Sequence, residues 1–416
     1  MMRLAAACAL VLGLWVPDGG DGLAEPSDFE RDLAALDVAI AAASSAASGP
    51  ATAAERAVAI AELAERRASL TGDAASLEQA SAALEAALQF AGPVEELLLL
   101  DAELKLKTHR VREAEQTLAA IADPVDVERA MLLHADISVQ DGDYPRARRV
   151  YASLVESNPT WDRIARLAYL ELMLGDPDRA DELYVKAEEQ LTAKEMRQFA
   201  WLELQRGLLE FRRGRFEPAL THYQRADRAY SGYWMTQDYM AELLAAKGGS
   251  QLRHASALYE RLLARSAQPQ IEQALGDVYA LQGKAAQASV HHERALATYL
   301  ESARRGQTQY FHHLAGYYAD VVMDGPEAVR WARKDLEMRA GYASHDALAW
   351  ALFRGGDIER ARQEMDLALI PGLRDAHVLF HAAMINLAAG RAAEGRRLLR
   401  EAGAINPQYG NFHVHR

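Results

Sequence analysis

Cysteine is almost absent from this sequence. The one cysteine among 416 residues is Cys8, which lies close to the N-terminus. If processing removes Cys8, the mature chain has no thiol, and this excludes disulfides, cysteine nucleophiles, iron–sulfur clusters and thiolate zinc sites together. Such a chain must be stabilised by packing alone.

Aromatic residues and β-branched runs are also scarce. Aromatics make up 7% of the chain, whereas half of it is hydrophobic and alanine is abundant. That hydrophobic fraction is typical of a folded chain rather than a disordered one. Alanine- and leucine-rich sequence with few Val, Ile or Thr runs favours helix over sheet. We therefore predict an all-α protein.

Apolar runs long enough to span a membrane are missing as well. The N-terminal run, residues 4–16, has thirteen residues, which is too short to cross a bilayer comfortably. It follows the basic Arg3 and precedes Pro17 and the small residues around Ala24, the pattern of a secretory signal. We predict a signal peptide at residues 1–24 and a periplasmic or secreted protein. A buried N-terminal helix or an uncleaved anchor is the alternative, and no other transmembrane segment is expected.

An excess of basic residues is absent too. The formal net charge is −13, and loss of residues 1–24 with Arg3, Asp18 and Asp21 leaves −12. An acidic chain is a poor candidate for binding nucleic acid or anionic lipid. The sequence therefore predicts no nucleic-acid partner.

Familiar catalytic motifs are missing from the sequence. It contains no glycine-rich phosphate loop, no Gly-x-Ser-x-Gly elbow and no His-Glu-x-x-His helix. Its many carboxylate pairs are of the kind that support exposed arginines on helices. We expect no catalytic residues, no enzymatic activity and no cofactor.

What the chain does contain is a repeat built around glycines. Each glycine has a small residue seven positions before it, another five positions after it, and in most cases a large residue nine positions after it. The six glycines are Gly142, Gly175, Gly214, Gly283, Gly356 and Gly390. Small residues let two helices approach closely, glycine supplies the turn, and the large residue fills the gap between helices. Each unit is therefore predicted to be a helical hairpin that stacks on its neighbours.

This spacing resembles the tetratricopeptide repeat (TPR) family. It is clearest in Leu275-Gly276-Asp277-Val278-Tyr279, which is followed by Gly283, Ala288 and Ala295. The steps from Gly142 to Gly175 and from Gly356 to Gly390 fit the family's period of about 34 residues. The resemblance implies a right-handed α-solenoid of about ten hairpins that holds a protein or peptide in its concave groove.

The repeat also divides the chain. A signal peptide (residues 1–24) is followed by an N-terminal helix and Ala/Ser-rich linker (25–54), in which the alanines could also extend the helix. Degenerate hairpins (55–127), the TPR solenoid (128–408) and a C-terminal tail (409–416) come next. The long step between Gly175 and Gly214 predicts an insertion near Leu191–Met196.

The resemblance also selects candidate binding residues. In a TPR unit the first helix lines the concave surface, and helical spacing then picks out one face. Exposed aromatics, Met and Arg are typical of recognition surfaces, although apolar rings more often fill a core. The predicted groove residues are Tyr310, His313, Tyr317, Asp320, Trp350, Phe353, Arg354, His377, Phe380, His381 and Met384, with Trp201, Leu204, Leu208 and Phe211 on the same face upstream.

Nine of the thirteen histidines lie after residue 290, which raises the alternative of a periplasmic metal-binding or metal-handling protein. His377 and His381 are one helical turn apart and can chelate a borderline metal, with His413 and His415 in the tail. His312 and His313 are adjacent, so their side chains diverge, and His292 is expected to pack in the core.

The sequence thus favours a non-enzymatic exported TPR scaffold for a protein or peptide, for which an envelope assembly is one setting. It leaves open the partner's identity, the oligomeric state, and whether the signal is cleaved.

Overall fold

The computed structural model describes residues 25–45, 52–265, 268–370 and 372–409. Within these ranges the chain forms 21 α-helices joined by loops, without any strand. The first eleven helices are α1 (Asp28–Ser45), α2 (Ala53–Thr71), α3 (Ala74–Ala91), α4 (Glu95–Lys107), α5 (Val111–Ala119), α6 (Val127–Gln140), α7 (Tyr144–Ser157), α8 (Trp161–Met173), α9 (Pro177–Glu188), α10 (Met196–Arg212) and α11 (Phe216–Ala229).

The remaining helices continue the same pattern. They are α12 (Trp234–Lys247), α13 (Leu252–Leu263), α14 (Pro269–Leu281), α15 (Ala285–Arg304), α16 (Phe311–Gly316), α17 (Gly325–Met338), α18 (Tyr342–Arg354), α19 (Ile358–Ala368), α20 (Ala376–Ala388) and α21 (Ala392–Ile405). A π-helical segment, Tyr317–Val322, extends α16. From α2 onward each even-numbered helix packs against the helix after it. This confirms the predicted all-α solenoid, and the described residues contain ten hairpins preceded by α1.

The small-residue columns of the repeat lie where paired helices touch. Ala168 and Ala349 in first helices, and Ala180 and Ala361 in second helices, have no exposed surface. Where the column holds glycine, a ring fills the space: a Cβ added to Gly207 would lie 2.3 Å from Tyr223. The small residues in these columns therefore allow the two helices of a hairpin to approach closely.

His292 packs in the core in the same way. A Cβ added to Gly276 would lie 2.2 Å from the imidazole of His292. His292 Nε2 is 2.9 Å from Asp277 Oδ1, so its polar end is also satisfied. The expectation that His292 is a packing residue is confirmed.

Successive turns of the solenoid lie directly on one another. Hydrogen bonds join residues about 200 positions apart: the Tyr342 N–H donates to the Tyr144 hydroxyl (2.9 Å), and the Gln408 side chain donates to the Gly214 carbonyl (3.2 Å). One superhelical turn therefore takes about six hairpins of about 34 residues. α1 belongs to this contact as well, because the Ser231 hydroxyl donates to Asp28 (2.7 Å).

The stacking brings the hairpin turns of the first superhelical turn against the loops between hairpins of the second. A Cβ on Gly175 would lie 2.2 Å from the Gly372 carbonyl oxygen, and one on Gly142 would lie 3.1 Å from the Ala340 carbonyl oxygen. The equivalent glycines of the second turn, such as Gly390, have no such neighbour within 4 Å. The described chain is thus a two-turn superhelix that partly encloses an interior space.

Candidate functional site: the central cavity

The first helices of the hairpins surround a cavity of about 1660 Å³. Its lining comes from both superhelical turns and includes residues of α4, α6, α8, α10, α12, α16, α18 and α20. These are first helices, so the concave surface is formed as the TPR resemblance implies. Because the two turns stack, residues of both turns line this surface, which forms a partly enclosed cavity.

Arg212 lies in this cavity at the C-terminal end of α10. Its guanidinium interacts electrostatically with Asp375 and, more weakly, with Tyr342, Tyr169 and Tyr239. Within the described part of the chain, no hydrogen bond or ion pair of 4 Å or less engages Arg212. Five N–H donors are therefore available to a bound group.

The surroundings keep Arg212 charged. Burial lowers the pKa of its guanidinium, but Asp375 and the three tyrosines outweigh that effect and the net shift is upward. Burial also raises the pKa of the Tyr342 phenol, which keeps it neutral. The cavity thus carries a fixed positive charge near the neutral phenol of Tyr342.

Aromatic rings form the wall next to Arg212. Trp161 and Trp201 meet edge to face with centroids 6.1 Å apart, and Phe211 stacks on Phe216 at 5.6 Å. Tyr169 is 39% exposed although it is a large side chain on a first helix. Three members of the predicted upstream set, Trp201, Leu208 and Phe211, line the cavity, whereas Leu204 is buried in the core.

Several other basic side chains of the cavity already have partners, although Arg374, like Arg212, is engaged by no hydrogen bond or ion pair among the described residues. Arg166 contacts both carboxylate oxygens of Asp136 (3.2 and 3.3 Å). Arg339 contacts Asp335 (3.1 Å), and His312 lies 3.5 Å from the same carboxylate. Arg212 differs from these paired groups because its donors are unused.

The predicted residues of α16 and the π-helical segment pack around the cavity rather than lining it. Tyr310 and His313 surround the ring of Tyr299, with centroids at 5.2 and 5.6 Å. Tyr317 is buried and donates its hydroxyl to the His292 carbonyl (3.0 Å). The cavity is lined instead by His312, Ala315, Gly316 and Ala319, and the diverging side chains predicted for His312 and His313 are present.

The structure brings three predicted residues together at α18. Trp350 lines the cavity, and its Nε1 donates to both oxygens of Asp320 (3.0 and 3.1 Å). Arg354 lies 3.8 Å from the same carboxylate. Phe353 stacks on Trp350 at 4.9 Å without reaching the cavity.

On α20, His377 and His381 line the cavity, whereas Phe380 and Met384 pack against the core. Asp346 of α18 approaches both histidines, and one ligand atom from each of the three lies within 4.8 Å of the others. The sequence reasoning missed Asp346. When the two repeats are aligned on their glycines, Asp346 falls ten positions before Gly356 and His381 falls nine positions before Gly390. This alignment would have indicated that the two residues lie close together.

Arg212 was also missed, along with the tyrosines that interact with it. Its only sequence signal is its position two residues before the turn glycine Gly214, at the end of a first helix. Tyr342 comes from the other superhelical turn, so the repeat pattern contains no information that joins it to Arg212.

No protein-family model matches the sequence, and no curated protein does. Among solved structures, the APC/C hetero-tetramer Cut9-Hcn1 is similar with a TM-score of 0.49 and 14% identity, over 88% of this chain and 66% of that one. The chain thus spans just under two thirds of that structure's length. Two structures of MamA are similar with TM-scores of 0.33, at 19% and 18% identity, over 41% and 42% of this chain and 96% and 94% of theirs.

These are TPR-repeat proteins. The fold of this chain is of the TPR type. Its own ten hairpins, with their small-residue columns and glycine turns, establish that fold independently of the similarities.

Three predictions concern residues outside the described ranges. They are the signal peptide at residues 1–24 and the tail histidines His413 and His415, for which export and any tail contribution remain predictions. Among the described helices, none is long and apolar enough to cross a membrane.

Proposed function

We propose that this protein is a non-enzymatic, exported TPR scaffold that binds an extended peptide segment of a protein partner inside its central cavity. The observation that carries the proposal is Arg212, a charged side chain with unused donors in an aromatic-lined cavity. Export rests on the N-terminal sequence alone, and an envelope assembly is the setting we propose for the partner.

The size of the cavity supports a peptide rather than a small molecule. Small-molecule sites occupy about 300–1,000 Å³, and this cavity has about 1660 Å³. The cavity also extends along helices of both superhelical turns, so it is long enough for an extended peptide segment. These dimensions support the recognition of a chain segment.

The lining supports a segment that carries a carboxylate. A guanidinium binds a carboxylate through two parallel hydrogen bonds, and such charge-assisted pairs are strong where water is excluded. Tyr and Trp side chains, here Tyr169, Trp161 and Trp201, supply large contact area at low entropic cost. We therefore propose an acidic side chain or a C-terminal carboxylate of the peptide as the group that meets Arg212.

The proposal can be tested with peptides selected from a random phage-displayed library against the immobilised protein. Their affinity is then measured by fluorescence anisotropy for the wild type, Arg212→Gln and Tyr169→Ala. We expect each variant to weaken binding by about tenfold or more, because a charge-assisted hydrogen bond contributes about 1.5–3 kcal/mol.

The matched control is Phe90→Ala, since Phe90 is 64% exposed and lies outside the cavity lining. It should leave affinity unchanged. Equal affinity of Arg212→Gln and wild type for every selected peptide would contradict binding in the cavity.

A further inference from the structure

A cluster of three metal-ligating side chains lies on one wall of the cavity. Asp346 comes from α18, and His377 and His381 come from α20. His381 Nδ1 lies 3.0 and 3.1 Å from the two oxygens of Asp346, and the two imidazole centroids are 4.1 Å apart. Among the described residues, this is the cluster in which three such groups can reach one ion.

The ligands are held in place by their neighbours. The ring of Trp350 stacks on His381 with centroids 4.0 Å apart and planes 9° from parallel. Trp350 is itself fixed, because its Nε1 donates to Asp320. The side chains of His381 and Asp346 are only 3% and 9% exposed, so their rotamers are constrained by packing. Such preorganisation is what a metal site requires.

The start of α20 is fixed as well. The Asp375 carboxylate accepts hydrogen bonds from the backbone N–H groups of His377 (2.9 Å) and Val378 (3.2 Å). A capped helix start fixes the direction in which His377 projects. The His377 and His381 side chains, one helical turn apart, then point to the same side of α20.

The chemistry of the donors selects a class of ion. Two imidazoles and one carboxylate suit borderline divalent transition metals, of which Zn²⁺ is the most accessible probe. Tetrahedral ligands at about 2.0–2.1 Å from Zn²⁺ are roughly 3.3 Å apart, and His381 Nδ1 and Asp346 are already at 3.0 Å. An ion there would also neutralise a buried carboxylate.

We propose that Asp346, His377 and His381 form a binding site for one divalent transition-metal ion, with its remaining coordination positions facing the central cavity. All three residues line that cavity, so water or a donor atom from a bound molecule can complete the coordination. The ion would also tie α18 to α20 and so join two neighbouring hairpins.

Other histidine–carboxylate pairs provide the comparison. His345 Nδ1 lies 2.9 Å from Glu364, and His222 Nδ1 lies 2.9 Å from Glu203. These pairs bridge helices in the same way, but neither belongs to a cluster of three ligands that meet. They should not bind a metal tightly, and His345 on α18 is the best matched control.

The test is isothermal titration of Zn²⁺ into full-length protein, prepared without a histidine tag and stripped with a chelator. We expect one Zn²⁺ per chain with a Kd in the micromolar range or below. His377→Ala and Asp346→Asn should each weaken binding by at least about tenfold, whereas His345→Ala should bind as the wild type does. Circular dichroism shows whether each variant keeps its helices.

Co²⁺ provides a second readout. Cobalt bound by these three ligands in a tetrahedral site should give intense visible absorption that His377→Ala abolishes. Failure of the wild type to bind Zn²⁺, or binding that His377→Ala retains at full affinity, would overturn the proposal. Peptide affinity is measured separately with Arg212→Gln, so failure of one proposal is distinguishable from failure of the other.

Discussion

At the scale of single residues, the junction between superhelical turns contains a histidine that resists protonation. His109 lies at the end of α4 in a left-handed conformation (φ 62°), and its Nδ1 is 3.3 Å from Gln140. Burial, followed by the nearby Arg339, lowers its pKa from 6.5 to about 4. In the native protein His109 therefore remains neutral at pH values where an unfolded chain would charge it.

This shift predicts a loss of stability in mild acid. Between pH 6.5 and 4 the unfolded state binds a proton that the native state does not, so the contribution is complete above pH 6.5 and is lost as the pH falls toward 4. The full effect is on the order of 3 kcal/mol. His109→Asn tolerates the left-handed conformation and should lose less stability than the wild type between pH 7 and 5 in urea unfolding.

The control is His254→Asn, because His254 is exposed on the outer surface. That variant should follow the wild-type pH dependence. If the free energy of unfolding depended on pH in the same way for the wild type and His109→Asn, His109 would not be the cause of the loss of stability in acid.

Which residues face the cavity could be predicted only in part. Helical spacing correctly placed Trp350, His377 and His381 on the cavity side, since they lie on one face of their helices. On α16 we predicted that His313 lines the cavity, but the lining residue is its neighbour His312. Successive residues of a helix point about 100° apart, so a shift of one residue changes the face of the helix. The rotation of α16 depends on how tightly the superhelix winds, which small-residue spacing does not specify. Whether the predicted residues bind a partner stays a prediction.

At the scale of elements, the turn of each hairpin is where sequence and structure correspond most closely. Nine of the ten turns occur at the glycine or Asp-Gly-Pro positions that the repeat indicates. The exception is the turn between α4 and α5, where His109 adopts the left-handed conformation instead of a glycine. The predicted insertion corresponds to the loop between α9 and α10. The π-helical segment after α16 could not be predicted, because it arises from packing rather than from any local sequence preference.

In three of the glycine-anchored units, the residue after the turn glycine is an aspartate that caps the second helix of the hairpin. Asp143, Asp176 and Asp357 each accept a hydrogen bond from the backbone N–H three residues later, at 3.1, 3.0 and 3.2 Å. Arg391 holds the same position before α21 with similar dihedral angles but makes no side-chain cap. Arg215 before α11 and Lys284 before α15 also lack a side-chain cap. Of the six glycine-anchored units, three are therefore uncapped, and the three units with aspartate define how the cap can be supplied.

We predict that Arg391→Asn stabilises the protein by about 0.5–1 kcal/mol, because asparagine is among the best N-cap residues. Asp357→Ala should destabilise it by about 1 kcal/mol for the converse reason. Both changes in the free energy of unfolding can be measured from the midpoints of urea unfolding. A destabilising effect of Arg391→Asn would show that Arg391 makes a contribution larger than the missing cap.

At the scale of the whole molecule, the stacking of two superhelical turns determines whether a cavity exists. The contacts are specific, as in the Trp234 Nε1–H donating to the Leu70 carbonyl (3.1 Å). The sequence indicated the repeat, but it did not indicate that the two superhelical turns stack on each other. Contacts between residues about 200 positions apart depend on the accumulated rotation between hairpins, and small errors in that rotation add up along the array.

Two glycines at equivalent repeat positions can be used to measure how closely the superhelical turns pack. Gly175 and Gly390 both have positive φ, +89° and +74°, so alanine at either position carries the left-handed strain of about 1–2 kcal/mol. Only at Gly175 would the new Cβ also meet the second superhelical turn. We predict that Gly175→Ala costs about 2–4 kcal/mol, clearly more than Gly390→Ala, in urea unfolding. Equal costs would contradict the close contact.

A distance between two spin labels shows whether the two superhelical turns lie against each other. Glu78 on α3 and Arg305 at the end of α15 are exposed, and their side chains approach to 3.6 Å across the two turns. Labels on cysteines at these positions, with Cys8 replaced by serine, should show dipolar broadening from a separation within about 20 Å, because adjoining helices have axes about 10 Å apart. The sum of the two singly labelled spectra, without broadening, would mean that the superhelix is open and the cavity does not form.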